Sequence, residues 1–360
     1  MNCKRILVTG GCGFIGSGFI NWIIPRHPEW NIYNLDTLYY CASLKNIEHD
    51  SPNYHFIQGN LCSYDLIRHV LNDYQIDTVI HFAAQSHVQN SFSESLQYTR
   101  DNVLGTHTLL EACRVYGKIQ RFIHVSTDEV YGESLGDDLK TEKSLLCPTN
   151  PYAATKAAAE MIVMSYYRSY SMPIIVTRGN NVYGERQYPE KLIPKFICLL
   201  QDDLPCTIQG TGENLRAFIH VDDVVRAFET ILLKGMVGEI YNIGSTDEYT
   251  VLQIAHRLIH KLKPGEPMDR WITRIPDRNF NDYRYDIDSL KLRELGWSPQ
   301  ISFDEGLQRT VAWYLTHPGH WESVSRTRNP KSVSPFDRVQ HTFLKIDEIS
   351  NSHEESRDCF

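Results

Sequence analysis

No stretch of this 360-residue sequence approaches the run of about 20 apolar residues that a membrane helix needs. The nine cysteines, at 3, 12, 41, 62, 113, 147, 198, 206 and 359, contain no Cys-x-x-Cys pair. Their odd number and scatter argue against a disulfide framework and against a zinc site, so no metal is expected. Basic clusters are missing too: 36 Lys and Arg lie scattered among 44 Asp and Glu, for a net charge of −8. Without a clustered basic face, nucleic acid is a poor candidate for main partner. There is no Asn-x-Ser/Thr sequon and no internal repeat. The apolar run that starts the chain, within Lys4–Gly10, is far too short for a signal peptide. Together these absences point to a reduced, cytoplasmic protein that makes no contact with a membrane.

What is present is an ordinary globular composition, 42% apolar and 22% charged. A chain of this length suits roughly two domains at about 150 residues each and can bury a core without covalent staples. Short apolar runs at 4–9, up to Leu35-Asp36, and at 54–57, 78–84, 121–126 and 174–177 alternate with helical patterns. The helices run from Phe14, near 64–72, over 94–117 and over 152–170. Strand, helix, strand repeated this way predicts an α/β fold built on a doubly wound parallel sheet.

After Arg178 the texture changes to short elements rich in Gly, Pro, Asn and Tyr. The expected layout is a dinucleotide-binding domain over 1–178, rejoined by 220–245. A smaller α/β substrate domain follows from 179–219 and 246–321, then a polar tail over 322–360. In that tail Val339, Phe343 and Ile346 could form one amphipathic turn.

Between the first run and the first helix stand Gly10, Gly13 and Gly16. A glycine turn there permits close backbone approach to a pyrophosphate and aims a helix N-terminus at its charge. Asp36 ends the second run, where an acid accepts hydrogen bonds from ribose hydroxyls and repels a 2′-phosphate. The combination favours NAD over NADP.

Tyr152 and Lys156 lie four apart behind Asn150, a helix-capping residue, and Pro151, which suits a first helical turn. Both side chains then share one helix face. An ammonium beside a phenol is expected to lower the phenol's pKa and equip it to take a proton from a sugar hydroxyl. Ser126-Thr127-Asp128-Glu129 close the run at 121–126, and ligands of open α/β sheets bind at the carboxyl ends of strands. Simple hydride transfer needs only a hydroxyl, the tyrosine and the lysine. Two adjacent carboxyl groups suggest further proton traffic, one acting as acid to release water and one as base beside a carbonyl. The bland alternative is that Asp128 and Glu129 merely cap the next turn.

These residues sit in recognisable motifs: TGGCGFIG (9–16), HFAAQSHV (81–88), STDEVYG (126–132), NPYAATK (150–156), NNVYGERQYPEKLIP (180–194), YNIG (241–244) and NDYRYDID (281–288). Over about residues 4–321 the chain resembles the extended short-chain dehydrogenases/reductases, and within them the nucleoside-diphosphate-glucose 4,6-dehydratases. The resemblance implies tightly held NAD, a homodimer formed through a helix pair, and a three-step reaction: C4 oxidation, loss of water across C5–C6, and return of the hydride to C6. It implies that Tyr152 is the base for oxidation and that Lys156 tunes it and holds the nicotinamide ribose. Thr127 would bond the C4 oxygen, Asp128 would be the acid at the C6 hydroxyl, and Glu129 the base at C5. Phe14, Ile15, Asn60, Leu61, Ala83 and Ala84 would line the cofactor site, with Asn60 standing where an aspartate is usual. Ser86, Asn181, Lys191, Leu192, Arg216, Asn242, Arg278 and Asn281 would meet the nucleotide sugar, the two arginines at its pyrophosphate.

The sequences at 179–184 (GNNVYG) and 280–282 (FND) resemble the UDP-glucose 4,6-dehydratase domain of plant rhamnose synthases more than bacterial dTDP-glucose enzymes. In those bacterial enzymes a histidine stands in place of Asn281. UDP-glucose is therefore the expected substrate and dTDP-glucose the alternative. Epimerases of the same fold lack the acid pair, decarboxylases usually show serine at the position of Asp128, and non-catalytic NAD-binding regulators commonly lose the tyrosine or lysine.

Overall fold

Alternate residues of β1 (Arg5–Thr9) face opposite ways, and both sets are apolar: Ile6 and Val8 enter one core, Leu7 the other. A strand apolar on both faces needs a layer on each side. The computed structural model, which describes residues 4–136 and 138–321, supplies both.

α1 (Phe14–Arg26), β2 (Asn31–Asp36), β3 (Tyr54–Gln58), α2 (Tyr64–Asp73) and β4 (Thr78–His81) open the chain. After them come α3 (Val88–Ser91), α4 (Ser95–Tyr98), α5 (Gly105–Tyr116), β5 (Arg121–Thr127), α6 (Pro151–Tyr170) and β6 (Ile174–Gly179). The later elements are β7 (Asn181–Tyr183), α7 (Leu192–Gln201), β8 (Cys206–Gln209), β9 (Leu215–His220), α8 (Val221–Lys234) and β10 (Ile240–Ile243). β11 (Glu248–Thr250), α9 (Val251–Leu262), β12 (Ile272–Ile275), α10 (Leu290–Glu294) and α11 (Phe303–Thr316) complete the described chain.

Seven parallel strands in the order β10-β6-β5-β4-β1-β2-β3 form the main sheet. On one face Phe19, Ile20 and Ile23 of α1 pack with Val224, Phe228 and Ile231 of α8 against Ile6, Val8, Ile80 and Ile123. On the other, Ile67 of α2, Leu109 and Leu110 of α5 and Val163 of α6 cover Leu7, Val79, Phe122 and Val176. Burying each such side chain contributes about 1.5–3 kcal/mol. β7, β9 and β11 make a three-stranded mixed sheet, and β8 pairs with β12 in parallel. The chain as far as Pro318 packs as one compact unit.

Two elements depart from expectation. The run 78–84 stays in the sheet only to His81, and the helix expected over 94–117 is broken by a π-helical stretch over Thr99–Leu104. One residue accounts for both. Within the widened turn, the buried Asn102 side chain accepts from Gln85 N at 2.7 Å and donates to Gln85 O and Thr155 Oγ1, each at 3.0 Å. It thereby draws the backbone after β4 out of the sheet and pins it to α6. The turn expected at Val339, Phe343 and Ile346 lies outside the described residues. Among those that are described, no helix is long and apolar enough to cross a membrane.

Candidate active site

The carboxyl ends of β1, β4, β5 and β6 meet at one edge, where Thr9 pairs with His81, His81 with His124, and Thr127 with Gly179. Gly10 turns out of β1 at φ +70°, and a Cβ there would stand 2.6 Å from Ala83 Cα. At Gly16 it would collide with the Gly10 carbonyl oxygen. Only glycine therefore lets this turn close against the 82–84 segment. α1 follows with no side chain capping its N-terminus, which leaves first-turn N–H groups to an anion.

Asp36 lies beside the turn, its carboxylate accepting Cys12 N at 2.9 Å and Leu38 N at 2.8 Å. Burial pushes its pKa up against those bonds. A glycine cradle, an open helix end and an acid at the next strand tip fit a dinucleotide. Phe14, Ile15, Ala83 and Ala84 are partly buried around the cradle, and Leu61 is buried. Asn60 spends its side-chain oxygen on Cys62 N at 2.8 Å.

β5 delivers the reactive groups. Thr127 caps the short 3-10 turn that follows, its hydroxyl accepting Glu129 N at 3.3 Å, so neither Asp128 nor Glu129 is the cap. Asp128 is 2% exposed. Its carboxylate accepts from Asn180 Nδ2 at 2.8 Å and from the Thr127 hydroxyl at 3.0 Å. Burial, with the neighbouring Glu129 charge, raises its pKa to about 7. Glu129 is partly buried and accepts from Asn150 Nδ2 at 3.1 Å. Its pKa is also raised by burial, while that hydrogen bond and the positive charges of Arg216, Arg278 and Lys191 oppose the rise. One acid thus titrates around neutral pH while its neighbour stands among cations.

Asn150 also caps α6, accepting Ala153 N at 2.9 Å, and Pro151 starts the helix. Tyr152 and Lys156 follow on its buried face, and Tyr152 is hydrogen-bonded to Thr127. Lys156 Nζ donates to Val125 O at 2.7 Å, and burial lowers its pKa to about 8. The expectation for the phenol itself is corrected: its pKa is raised, not lowered. Burial is the main cause, and the Glu129 and Asp128 carboxylates add to it, whereas Lys156 is turned to a backbone carbonyl.

Opposite this edge, Arg216 of β9 lies over the Tyr285 ring, 4.9 Å from its centroid. It donates to Asp282 O at 2.8 Å, Tyr283 O at 3.1 Å and Asn281 Oδ1 at 3.2 Å. Arg278 also donates to Asn281 Oδ1, so one amide oxygen holds two guanidinium groups. The buried Arg278 Nε and Ser126 Oγ have no hydrogen-bond partner among the described residues. Lys191 donates to Ser86 O at 2.5 Å, just before Leu192 begins α7, and Asn181 begins β7, partly exposed.

Asn242 is different. Fully buried in β10, it accepts from Tyr131 and donates to Lys140 O and Asp288 O. Its amide is spent on the scaffold, so it does not stand free to meet a ligand as expected. Asn102 and Asn180, which hold the site together, carry no sequence signal that separates them from their neighbours. Among the described residues no cluster could hold a metal ion.

The family model of GDP-mannose 4,6 dehydratase matches residues 7–310. The chain is 50% identical over 342 residues to a trifunctional UDP-glucose 4,6-dehydratase/UDP-4-keto-6-deoxy-D-glucose 3,5-epimerase/UDP-4-keto-L-rhamnose-reductase of Arabidopsis thaliana, covering 93% of this chain and 51% of that protein. It therefore spans about half the length of the plant relatives it matches. It is 46% identical over 337 residues to the dTDP-D-glucose 4,6-dehydratase of Bos taurus, covering 92% of this chain and 94% of the relative. The crystal structure of the dTDP-glucose 4,6-dehydratase DesIV of Streptomyces venezuelae, with NAD bound, superposes with a TM-score of 0.84 at 39% identity. That likeness covers 89% of this chain and 99% of the other.

Proposed function

The chain belongs to the GDP-mannose 4,6-dehydratase family, and we propose that it is an NAD-dependent nucleoside-diphosphate-glucose 4,6-dehydratase acting on UDP-glucose. The observation that carries this reading is the adjacent acid pair: Asp128, with a pKa near 7, and Glu129, bonded to Asn150, beside Tyr152 at the tip of β5. Hydride transfer alone has no use for two further carboxyl groups.

When bound, NAD would supply the hydride chemistry, accepting from C4 and donating to C6. Gly10, Gly13 and Gly16 with the α1 N-terminus would hold its pyrophosphate, Asp36 a ribose, and Phe14, Ile15, Asn60, Leu61, Ala83 and Ala84 its remaining surface. Tyr152 takes the C4 hydroxyl proton, with Thr127 bonding the same oxygen. Lys156 would hold the nicotinamide ribose, and its cation beside the phenol would favour the phenolate. The C4 ketone acidifies C5–H, Glu129 removes that proton, Asp128 protonates the departing C6 hydroxyl as water, and Glu129 returns a proton to C5 as C6 receives the hydride. The two transfers of the elimination each contribute about 10²–10⁴ in rate. Arg278, whose Nε is unpartnered among the described residues, would grip the diphosphate, and Arg216, its terminal N–H groups bonded to Leu215 O, Asp282 O, Tyr283 O and Asn281 Oδ1, would hold Arg278 through Asn281 and add its charge. Ser86, Asn181, Lys191 and Leu192 line the rest of the nucleotide-sugar channel.

The second reading, dTDP-glucose, is favoured by the likeness to the bovine enzyme over nearly the full length of both chains. The two nucleotides differ by a ribose hydroxyl and a uracil methyl, and one methyl in a pocket is worth only about 1–3 kcal/mol. A homodimer is part of the proposal, with Leu96, Leu104 and Met161 presenting exposed apolar surface around α4–α6.

The test is incubation of the purified protein, without added cofactor, with each sugar nucleotide. Mass spectrometry reads the loss of one water. Loss from UDP-glucose at the higher kcat/KM supports the reading, and preference for dTDP-glucose replaces the nucleotide. No loss from either, with NAD bound, overturns it.

A further inference from the structure

Asp282 carries a buried carboxylate that no step above uses. It accepts the Thr149 hydroxyl on both oxygens, at 2.8 and 2.9 Å, and also the Tyr285 hydroxyl. Each partner leads to a different half of the site. The Tyr285 ring is the surface under Arg216, and the Asp282 carbonyl oxygen accepts Arg216 Nη2 at 2.8 Å. Thr149 immediately precedes Asn150, which caps α6 and donates to Glu129. A single side chain thus joins the loop that carries the arginines to the residue that aims the C5 base. Nothing else among the described residues bonds the Thr149 hydroxyl, so without Asp282 the capping turn loses its tie to the 278–285 loop.

We propose that Asp282 is a positioning residue that couples the placement of the Arg216–Arg278 pair at the diphosphate to the alignment of Glu129, through Tyr285 on one side and Thr149-Asn150 on the other. The proposal rests on the dehydratase reading of the site. Glu129 must meet C5 of a sugar whose position is set by its diphosphate, so base and grip have to share one frame. A displacement of about 1 Å at a reacting atom can cost about a hundredfold in rate. Removing the link therefore affects the elimination step while the oxidation at Tyr152, held by Thr127 and α6, proceeds.

The experiment uses the full-length protein with its bound NAD and three variants, Thr149→Val, Thr149→Ser and Asp282→Asn. UDP affinity is read by titration calorimetry. Absorbance at 340 nm is followed with saturating UDP-glucose, or with dTDP-glucose if that is the sugar nucleotide the wild type dehydrates. Thr149→Val is expected to accumulate 340-nm absorbance while its UDP Kd stays within about twofold of wild type, and Thr149→Ser to restore turnover. Asp282→Asn is expected both to accumulate the absorbance and to weaken UDP about tenfold. A purely structural role would instead slow oxidation and elimination together and shift the UDP Kd of both variants alike. That result overturns the coupling, as does wild-type behaviour of either Thr149→Val or Asp282→Asn. If the wild-type protein dehydrates neither sugar nucleotide, the proposed function falls separately. The UDP titrations then decide the coupling: Asp282→Asn at wild-type affinity overturns it, and a tenfold loss confined to Asp282→Asn upholds it.

Discussion

Asp128→Asn should stabilise this protein, and should do so only at neutral and alkaline pH. Asp128 is 2% exposed, and its pKa stands at about 7 against an ordinary 3.8, with burial as the main cause and the Glu129 charge second. A carboxyl whose pKa is raised by folding favours the folded state fully below its unfolded pKa. It loses that contribution as pH climbs through the folded one. The rise is about 3 units at about 1.4 kcal/mol each, so about 4 kcal/mol of stability disappears between about pH 4 and pH 7. Asparagine has nearly the same shape and no charge to desolvate. Its side-chain oxygen can still accept from Asn180, and its amide can donate to the Thr127 hydroxyl. Melting curves of the variant and the wild type should nearly coincide at pH 4. At pH 8 the variant should lead by several degrees, since 1 kcal/mol moves Tm by roughly 1–2 °C in a unit that runs to Pro318. Carboxylates remote from Asp128 titrate alike in both proteins and cancel, and the repulsion from Glu129 is already contained in the Asp128 rise. An equal difference at pH 4 and pH 8, or a variant less stable at pH 8, would refute the account of Asp128 as a carboxyl whose pKa burial raises.

Glu129→Gln should oxidise the sugar and then stall, leaving 340-nm absorbance on the enzyme; normal turnover would remove Glu129 as the C5 base. Tyr152→Phe should slow the rise of that absorbance by about 10²–10⁴, measured in a single turnover, because the hydroxyl proton loses its acceptor. Gly10→Ala places a side chain at φ +70° and 2.6 Å from Ala83 Cα. The purified variant should carry little NAD, read from the absorbance released on heat denaturation, and retention at the wild-type level would contradict the cradle.

The main sheet was legible because its strands are apolar on both faces and bounded by glycine or acid, a pattern that few other arrangements tolerate. Gly10 and Asp36 could be placed at strand tips, and Gly13 and Gly16 at the start of α1, for the same reason. Asn150 and Pro151 announced the start of α6 and so put Tyr152 and Lys156 on one face. The π-helical stretch at 99–104 could not be seen: its local pattern is that of an ordinary helix, and the cause is a tertiary bond from Asn102 to Gln85 and Thr155. The direction of the Tyr152 shift was misjudged because i, i+4 spacing shows that Lys156 shares its face. Spacing does not reveal burial, two nearby carboxylates, or an ammonium turned to Val125 O. Asn242 misled similarly, since a motif residue can serve the scaffold, and only its three partners show that it does.

The most direct test of the central claim follows the hydrogen itself. UDP-glucose deuterated at C4 would be turned over to completion without added cofactor, with dTDP-glucose labelled alike in parallel. The label would then be located in the product by NMR. The account requires loss of one water and deuterium at C6, carried there from C4 within one site. Deuterium restored to C4, or a product that keeps its water, would contradict it and make the acid pair at 128–129 bystanders to a different reaction.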